Sequence, residues 1–445
     1  MNPRIDSPRS NLRPAPILVG VSLALTLLCP PGTGVAGPVG THTAPADEAK
    51  GGQRLVNLAA ERRERPHLPS DHDIPQLSPL ARDWQSAPKR TTWVATTERG
   101  VPARVAVHEV GEGPRVMVCL HGLFGEAANW RYVAAALRGE YELWLIDLPG
   151  CGQSEAPDPG RLGAGGYGPT ALADRVLQAL ASRLAARPDV RHVLLVGHSL
   201  GGMISLRMFG DDGLRTRHAA TLEAIDGLVL FAPSDVVVTQ FTSTQRTMLG
   251  LNGTKVFLGN LTGILPKAME QGLRTSFDDP ALASQELQIQ GVRLLSHGAN
   301  RHATQAMLRD ALPWRVMGEV HDWQAIAALE RGYEHVQRPC LIIWGECDLT
   351  LPVSMGYKLK DQLPDARLVV IPRTRHLLPM ECPSTCVSLI RGFRAGLDRG
   401  HLAAAHTVRR WSNDAAERSG DWMAGGPTAT SASPVSSTAS GGSPP

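Results

Sequence analysis

Charge of one sign is not in excess: 45 Lys and Arg stand against 42 Asp and Glu over 445 residues, a formal net charge of +3. No dense basic block breaks this balance, which excludes the electrostatic footprint of a nucleic-acid groove or a polybasic membrane face. Nor is there an apolar run of the roughly 20 residues that a stable membrane span needs. The stretch Ile17–Cys29 is shorter and runs into Pro30 and Pro31. A phosphate-cradling glycine loop and a dinucleotide fingerprint are also missing, since the G-x-G at 150–152 has no third glycine suitably placed. His297, His302 and His321 have neither ligand-like spacing nor a cysteine partner, so no metal is expected, and no other cofactor is implied. No internal repeat is evident. The partner expected of such a chain is a small molecule.

Cysteine is sparse, with seven residues at 29, 119, 151, 340, 347, 382 and 386. Cys119 and Cys340 lie inside apolar runs, as buried thiols do. Cys347 and Cys382 fall on segments expected at a common edge of the fold, and a disulfide between them is the expectation.

The ends of the chain differ from its middle. Arg4, Arg9 and Arg13 precede the apolar stretch, and "GVA" at Gly34–Ala36 offers the small residues a signal peptidase accepts. Residues 1–36 therefore read as an export signal, and the protein as periplasmic or secreted. Leu28 stands where a lipoprotein signal wants a small residue, so no lipid anchor is expected at Cys29. Residues 37–90 look like a flexible arm, and 399–445 like a low-complexity tail too poor in apolar residues to stay folded.

Between these ends, apolar runs recur: "RVMVCL" (115–120), "ELWLID" (142–147), "HVLLVG" (192–197), "GLVLFA" (227–232), "PCLIIWG" (339–345) and "ARLVVIP" (366–372). Unbroken runs of this length, rather than alternating ones, imply strands buried on both faces of a parallel sheet covered by helices. "TTWVATT" and "ARVAVHEV" add two earlier strands, which gives an α/β fold with a mostly parallel eight-stranded sheet. Residues 234–333 change to a helical pattern without a convincing strand, too long for a loop, and read as a helical cap inserted between core segments 91–233 and 334–398. Met248, Leu249, Val256, Phe257, Leu258, Ile264, Leu265, Met269, Trp314 and Trp323 are candidates for its apolar lining.

One serine stands out. Gly197-His198-Ser199-Leu200-Gly201 is G-x-S-x-G directly after a strand and before a helix, a sharp elbow that exposes a hydroxyl at the sheet edge. A serine is a poor nucleophile unless a base, a group orienting that base and donors for an oxyanion stand beside it. Asp348 and His376 each follow an apolar strand within a few residues, and C-terminal strand ends share one edge of a parallel sheet. The three thereby become candidate neighbours in the order Ser, Asp, His. Glu346 competes for the acid role, as does Asp235 after "LVLFAPS", whereas His121 and His198 are expected to bond within their own loops.

Four motifs carry a resemblance to the α/β-hydrolase family over residues 98–398: "LHGLFG" (120–125), "DLPGCGQS" (147–154), "WGECDLTLP" (344–352) and "RHLLPMECP" (375–383). That resemblance implies catalytic roles for Ser199, Asp348 and His376, and backbone oxyanion donors at Leu123 and Leu200, with Phe124 the fallback for the first. It implies a structural turn at Asp147–Ser154 and departs from the family at Arg375, where a glycine is usual before the histidine. The expected activity is hydrolysis of a neutral, moderately hydrophobic ester through an acyl-enzyme. Alternatives are C–C bond hydrolysis, cofactor-free haloperoxidase or perhydrolase chemistry, and a non-catalytic ligand-binding or receptor protein.

Overall fold

The computed structural model describes residues 81, 83–234, 247, 249–316 and 320–412. The expected leader, Cys29, most of the arm, Asp235, Met248 and the tail beyond 412 lie outside the described residues.

Nine strands form one mixed sheet: β1 (Arg90–Glu98), β2 (Val101–Val110), β3 (Arg115–Leu120), β4 (Tyr141–Ile146), β5 (Val193–His198), β6 (Ile225–Phe231), β9 (Cys340–Gly345), β10 (Ala366–Ile371) and β11 (Val408–Arg410). Their spatial order is β1-β2-β4-β3-β5-β6-β9-β10-β11. Only the β1–β2 and β2–β4 pairings are antiparallel. Every residue of β4, β5, β9 and β10 is buried, which explains why their sequences are largely apolar.

Helices cover both faces. Among them are α1 (Arg131–Leu137), α2 (Pro169–Ala185), α3 (Leu200–Gly210) and, near the C-terminus, a 17-residue helix Pro383–Arg399. That last helix starts with proline at its first position and stops at Gly400, whose φ of 63° supplies the left-handed residue that closes a helix.

The sheet has nine strands where eight were expected. The extra one, β11, lies in the stretch expected to be tail and pairs parallel with β10, Leu368 facing Val408. Three residues reading Val-Arg-Arg carry no strand signature. The strand is held instead by Trp411, buried at 6% exposure, and by a two-pronged ion pair between Arg410 and Glu346. At the other end the expected arm is packed from Trp84, which is buried and meets the His108 ring edge-on.

Among the described residues of 249–333 are five helices of nine residues or more, Gly253–Leu261, Ile264–Thr275, Gln285–Ser296, Gly298–Asp310 and Trp323–Arg331. Asn252, Ser284 and Asp322 cap three of these with side-chain oxygens, as short polar residues at helix starts do. A small antiparallel ribbon of β7 (Trp314–Val316) and β8 (Val320–His321) interrupts a region expected to have no strand. Of the expected lining residues, Val256 and Leu265 are buried, whereas Phe257, Leu258, Ile264 and Trp323 are exposed.

The expected Cys347–Cys382 disulfide is not formed; both residues remain thiols. Cys347 is exposed on the turn after β9. Cys382 is buried as the N-cap of the Pro383–Arg399 helix, its Sγ 3.5 Å from the Leu378 carbonyl and 3.9 Å from Cys386 Sγ. A shared edge brought the two segments near each other, but the helix start turns one side chain inward.

Candidate active site

Ser199 occupies the single residue between β5 and α3, with φ 51° and ψ −115°. A non-glycine residue held there stores backbone strain, which persists only where the surroundings over-determine it. Its N–H donates to the Phe231 carbonyl at 2.9 Å, and its carbonyl accepts from Met203 and Ser234. The flanking glycines are steric requirements. A Cβ at Gly197 would lie 2.6 Å from the Gly201 carbonyl oxygen, and one at Gly201 would lie 2.2 Å from that of Leu120. Leu200 opens α3, so its N–H has no acceptor within the helix.

Asp348 lies on the turn after β9 and His376 on the loop after β10, both at the C-terminal edge of the parallel strands. Nδ1–H of His376 donates to Asp348 Oδ2 at 2.7 Å, and the aspartate side chain is fully buried. The other oxygen, Oδ1, accepts the N–H groups of Thr350 and Leu351 at 2.8 and 2.9 Å, which fixes the carboxylate's rotation. Gly345 makes the approach of the two loops possible, since a Cβ there would come within 2.2 Å of the Arg375 carbonyl oxygen. Glu346, the competing acid, is turned to Arg410 on β11.

Ser199 Oγ is 3.3 Å from Ser234 Oγ, and no hydrogen bond of the described residues joins it to His376. The link between the Ser199 turn and the His376 loop runs through His198. Its ring centroid is 4.9 Å from that of His376, and its Nε2–H donates to the His376 carbonyl at 2.9 Å. Burial, with the neighbouring His376, pushes His198 down to about 3, so it is a neutral donor. The G-x-S-x-G pattern marks this residue, but its partner is 178 positions away and no local signal names it. His121 does act within its neighbourhood: Nδ1–H donates to the Gly122 carbonyl and Nε2 accepts from Leu148 N–H.

A profile of the Alpha/beta hydrolase family matches residues 117–389, more than half of the chain. The chain belongs to that family. It is 27% identical over 275 residues to the dihydrolipoyllysine-residue acetyltransferase component of the acetoin cleaving system of Pseudomonas putida, across 61% of each chain. It is 25% identical to the pimeloyl-[acyl-carrier protein] methyl ester esterase of Nitrosospira multiformis, across 64% of this chain and 97% of that one. Its fold is similar to the crystal structure of a serine hydrolase from the polyaromatic hydrocarbon-degrading bacterium Cycloclasticus zankles, with a TM-score of 0.51 at 19% identity, covering 70% of this chain and 99% of that one. No helix among the described residues is long and apolar enough to cross a membrane.

The D-x-x-G-x-G-x-S turn at Asp147–Ser154 is a hydrogen-bonded knot. Asp147 accepts from His108, from Ala127 N–H and from Gln153 N–H, and Ser154 Oγ bridges the Asp147 carbonyl and Ala106 N–H. Burial by itself would raise the Asp147 pKa, but these donors outweigh it and hold the carboxyl below its ordinary value. A cleft of about 360 Å³ lies beside this knot, lined by His108, Glu126, Asp147, Gln290 and Arg293 among others. Ser199, Asp348 and His376 do not line it; they are 8%, 7% and 6% exposed.

Two expected outcomes arise here. Removing the imidazole in His198→Ala leaves a buried carbonyl without its donor, a loss of about 1–3 kcal/mol, so kcat is expected to drop roughly 10- to 100-fold with KM little changed. Steady-state kinetics of the folded variant check this. The second concerns Glu126, which burial and the nearby Asp147 push up to about 7, against the pull of Arg293. Between its ordinary 4.5 and about 7, the folded chain keeps a proton that the unfolded chain has released. Stability from this group therefore falls as pH rises through that window, by up to about 3 kcal/mol. Glu126→Gln is expected to flatten that part of the curve, as read by urea denaturation at pH 5 and pH 8.

Proposed function

We propose that this hydrolase cleaves a carboxylic ester of a neutral, moderately hydrophobic small molecule, through an acyl-enzyme on Ser199. The observation that carries this reading is the buried Asp348–His376 hydrogen bond at the strand edge where the strained elbow presents Ser199. Asp348 fixes the imidazole with its proton on Nδ1, leaving Nε2 free to take the proton of Ser199 Oγ. Turning the hydroxyl from Ser234 to His376 starts the reaction. Oγ then attacks the acyl carbon, and the oxyanion is received by the backbone N–H groups of Leu123 and Leu200. Collapse returns the proton from His376 to the leaving alcohol, and water repeats the sequence to release the acid. The printed name of the Nitrosospira relative is in keeping with ester chemistry. The leader-like residues 1–36 favour an exported enzyme.

A panel of nitrophenyl esters separates the readings. Burst release of nitrophenol, stoichiometric with enzyme and followed by slower turnover, is the expected result. Turnover of a vinylogous diketone with no ester burst would move the assignment to C–C hydrolysis, and saturable ester binding without any release would move it to a binding protein.

A further inference from the structure

The base loop is gripped on its backbone by the cap. Thr275–Asp278, at the end of the Ile264–Thr275 helix, lies along Arg375–Leu377. The Thr275 carbonyl accepts from Arg375 Nη1 at 3.0 Å. The Ser276 carbonyl accepts the N–H of His376 at 3.2 Å and that of Leu377 at 3.4 Å. Phe277, with no exposed surface, packs in a small cluster with Leu287 and Met380. One side chain closes the arrangement. Glu381, 9% exposed, accepts Arg375 N–H on Oε2 at 2.8 Å and Asp278 N–H on Oε1 at 2.6 Å.

We propose that Glu381 is a positioning residue for His376, its carboxylate latching the base loop to the cap so that the imidazole holds its station only while Thr275–Asp278 is docked. This rests on the reading of His376 as the base. The carboxylate has no hydrogen bond to the imidazole and acts through the peptide on its N-terminal side. Bridging two N–H groups from segments about 100 residues apart takes a side chain with two acceptor oxygens and the reach of glutamate. The charged groups facing it are Asp278 and Arg375. Burial is the main reason that its pKa rises to about 7, with Asp278 adding to the rise and the two N–H bonds and Arg375 opposing it. Below that pH one oxygen becomes a hydroxyl and the latch loosens.

The test compares full-length wild-type protein with Glu381→Gln. Amide hydrogen exchange by mass spectrometry is expected to quicken together in peptides covering 275–279 and 374–377, about 10-fold as two buried donors lose a charged acceptor, and to stay unchanged across β5. Labelling of Ser199 by a fluorophosphonate, followed against pH, is the second readout. In the wild type an ionised Glu381 is needed, so labelling is expected to fall with one proton more below about pH 7 than in the variant, whose acid limb loses that proton's slope. A residue of purely structural importance would lower the folded fraction without altering that slope. Unchanged exchange in either segment, or an unchanged acid limb, overturns the proposal. If the wild type takes no label at all, the serine-hydrolase reading fails, and the exchange result still decides whether the latch exists. Should Glu381→Gln not fold, Glu381→Asp, which keeps the charge but is too short to span both donors, is read in the same two ways.

Discussion

Ser199→Ala is expected to abolish the nitrophenol burst and to lower kcat by about 10⁴-fold or more, because the acyl group then has no oxygen to reside on. What remains is the contribution of oxyanion donors and binding alone. The substitution removes one hydroxyl whose partner in the structure is the hydroxyl of Ser234 at 3.3 Å, and it leaves the three backbone bonds of the elbow in place. The fold is therefore expected to survive, with a midpoint of thermal unfolding within a few degrees of the wild type. A variant that is folded and retains more than a tenth of the activity would place the nucleophile elsewhere.

The second large effect belongs to the acid. Asp348→Asn keeps the side chain's size, and its carbonyl oxygen can still accept from Thr350 and Leu351 N–H. The amide nitrogen then faces His376 Nδ1 and donates a proton, which favours the tautomer with its hydrogen on Nε2. That tautomer cannot accept from Ser199. A fall in kcat of about 10³- to 10⁴-fold is expected, with KM nearly constant. Glu346→Gln is the control: its carboxylate is engaged by Arg410 on the sheet edge, so activity should stay within about twofold and the loss should appear as a small decrease in stability. Equal losses in the two variants would contradict the assignment of the acid.

The parts of the molecule that could be read from the chain are those in which local composition and tertiary environment agree. Strands β3, β5, β9 and β10 are mostly apolar because both their faces are covered, and each ends beside a residue of the candidate site. Glycines 197, 201 and 345 were legible as motif positions, and their physical cause is a backbone oxygen within 2.6 Å of the place where each Cβ would stand. What escaped is tertiary. Strand β11 has three residues and is held by Arg410 and Trp411 rather than by strand propensity. His198 was expected to bond locally but donates to the carbonyl of His376. Glu381 was visible in the stretch RHLLPMECP, but its second donor, Asp278 N–H, lies about 100 residues earlier in the chain. The disulfide expectation failed for the same reason: two segments near one edge say nothing about where their side chains point, and Cys382 points inward.

The acyl-enzyme itself is the most direct test. Wild-type protein mixed with a slowly deacylating nitrophenyl ester, quenched in acid within the burst and digested, is analysed by mass spectrometry. The account predicts one acyl adduct per chain, located on the peptide containing Gly197–Gly201 with fragment ions that place it on Ser199, and none in Ser199→Ala. An adduct on another residue, or full turnover with no adduct at any quench time, would contradict it.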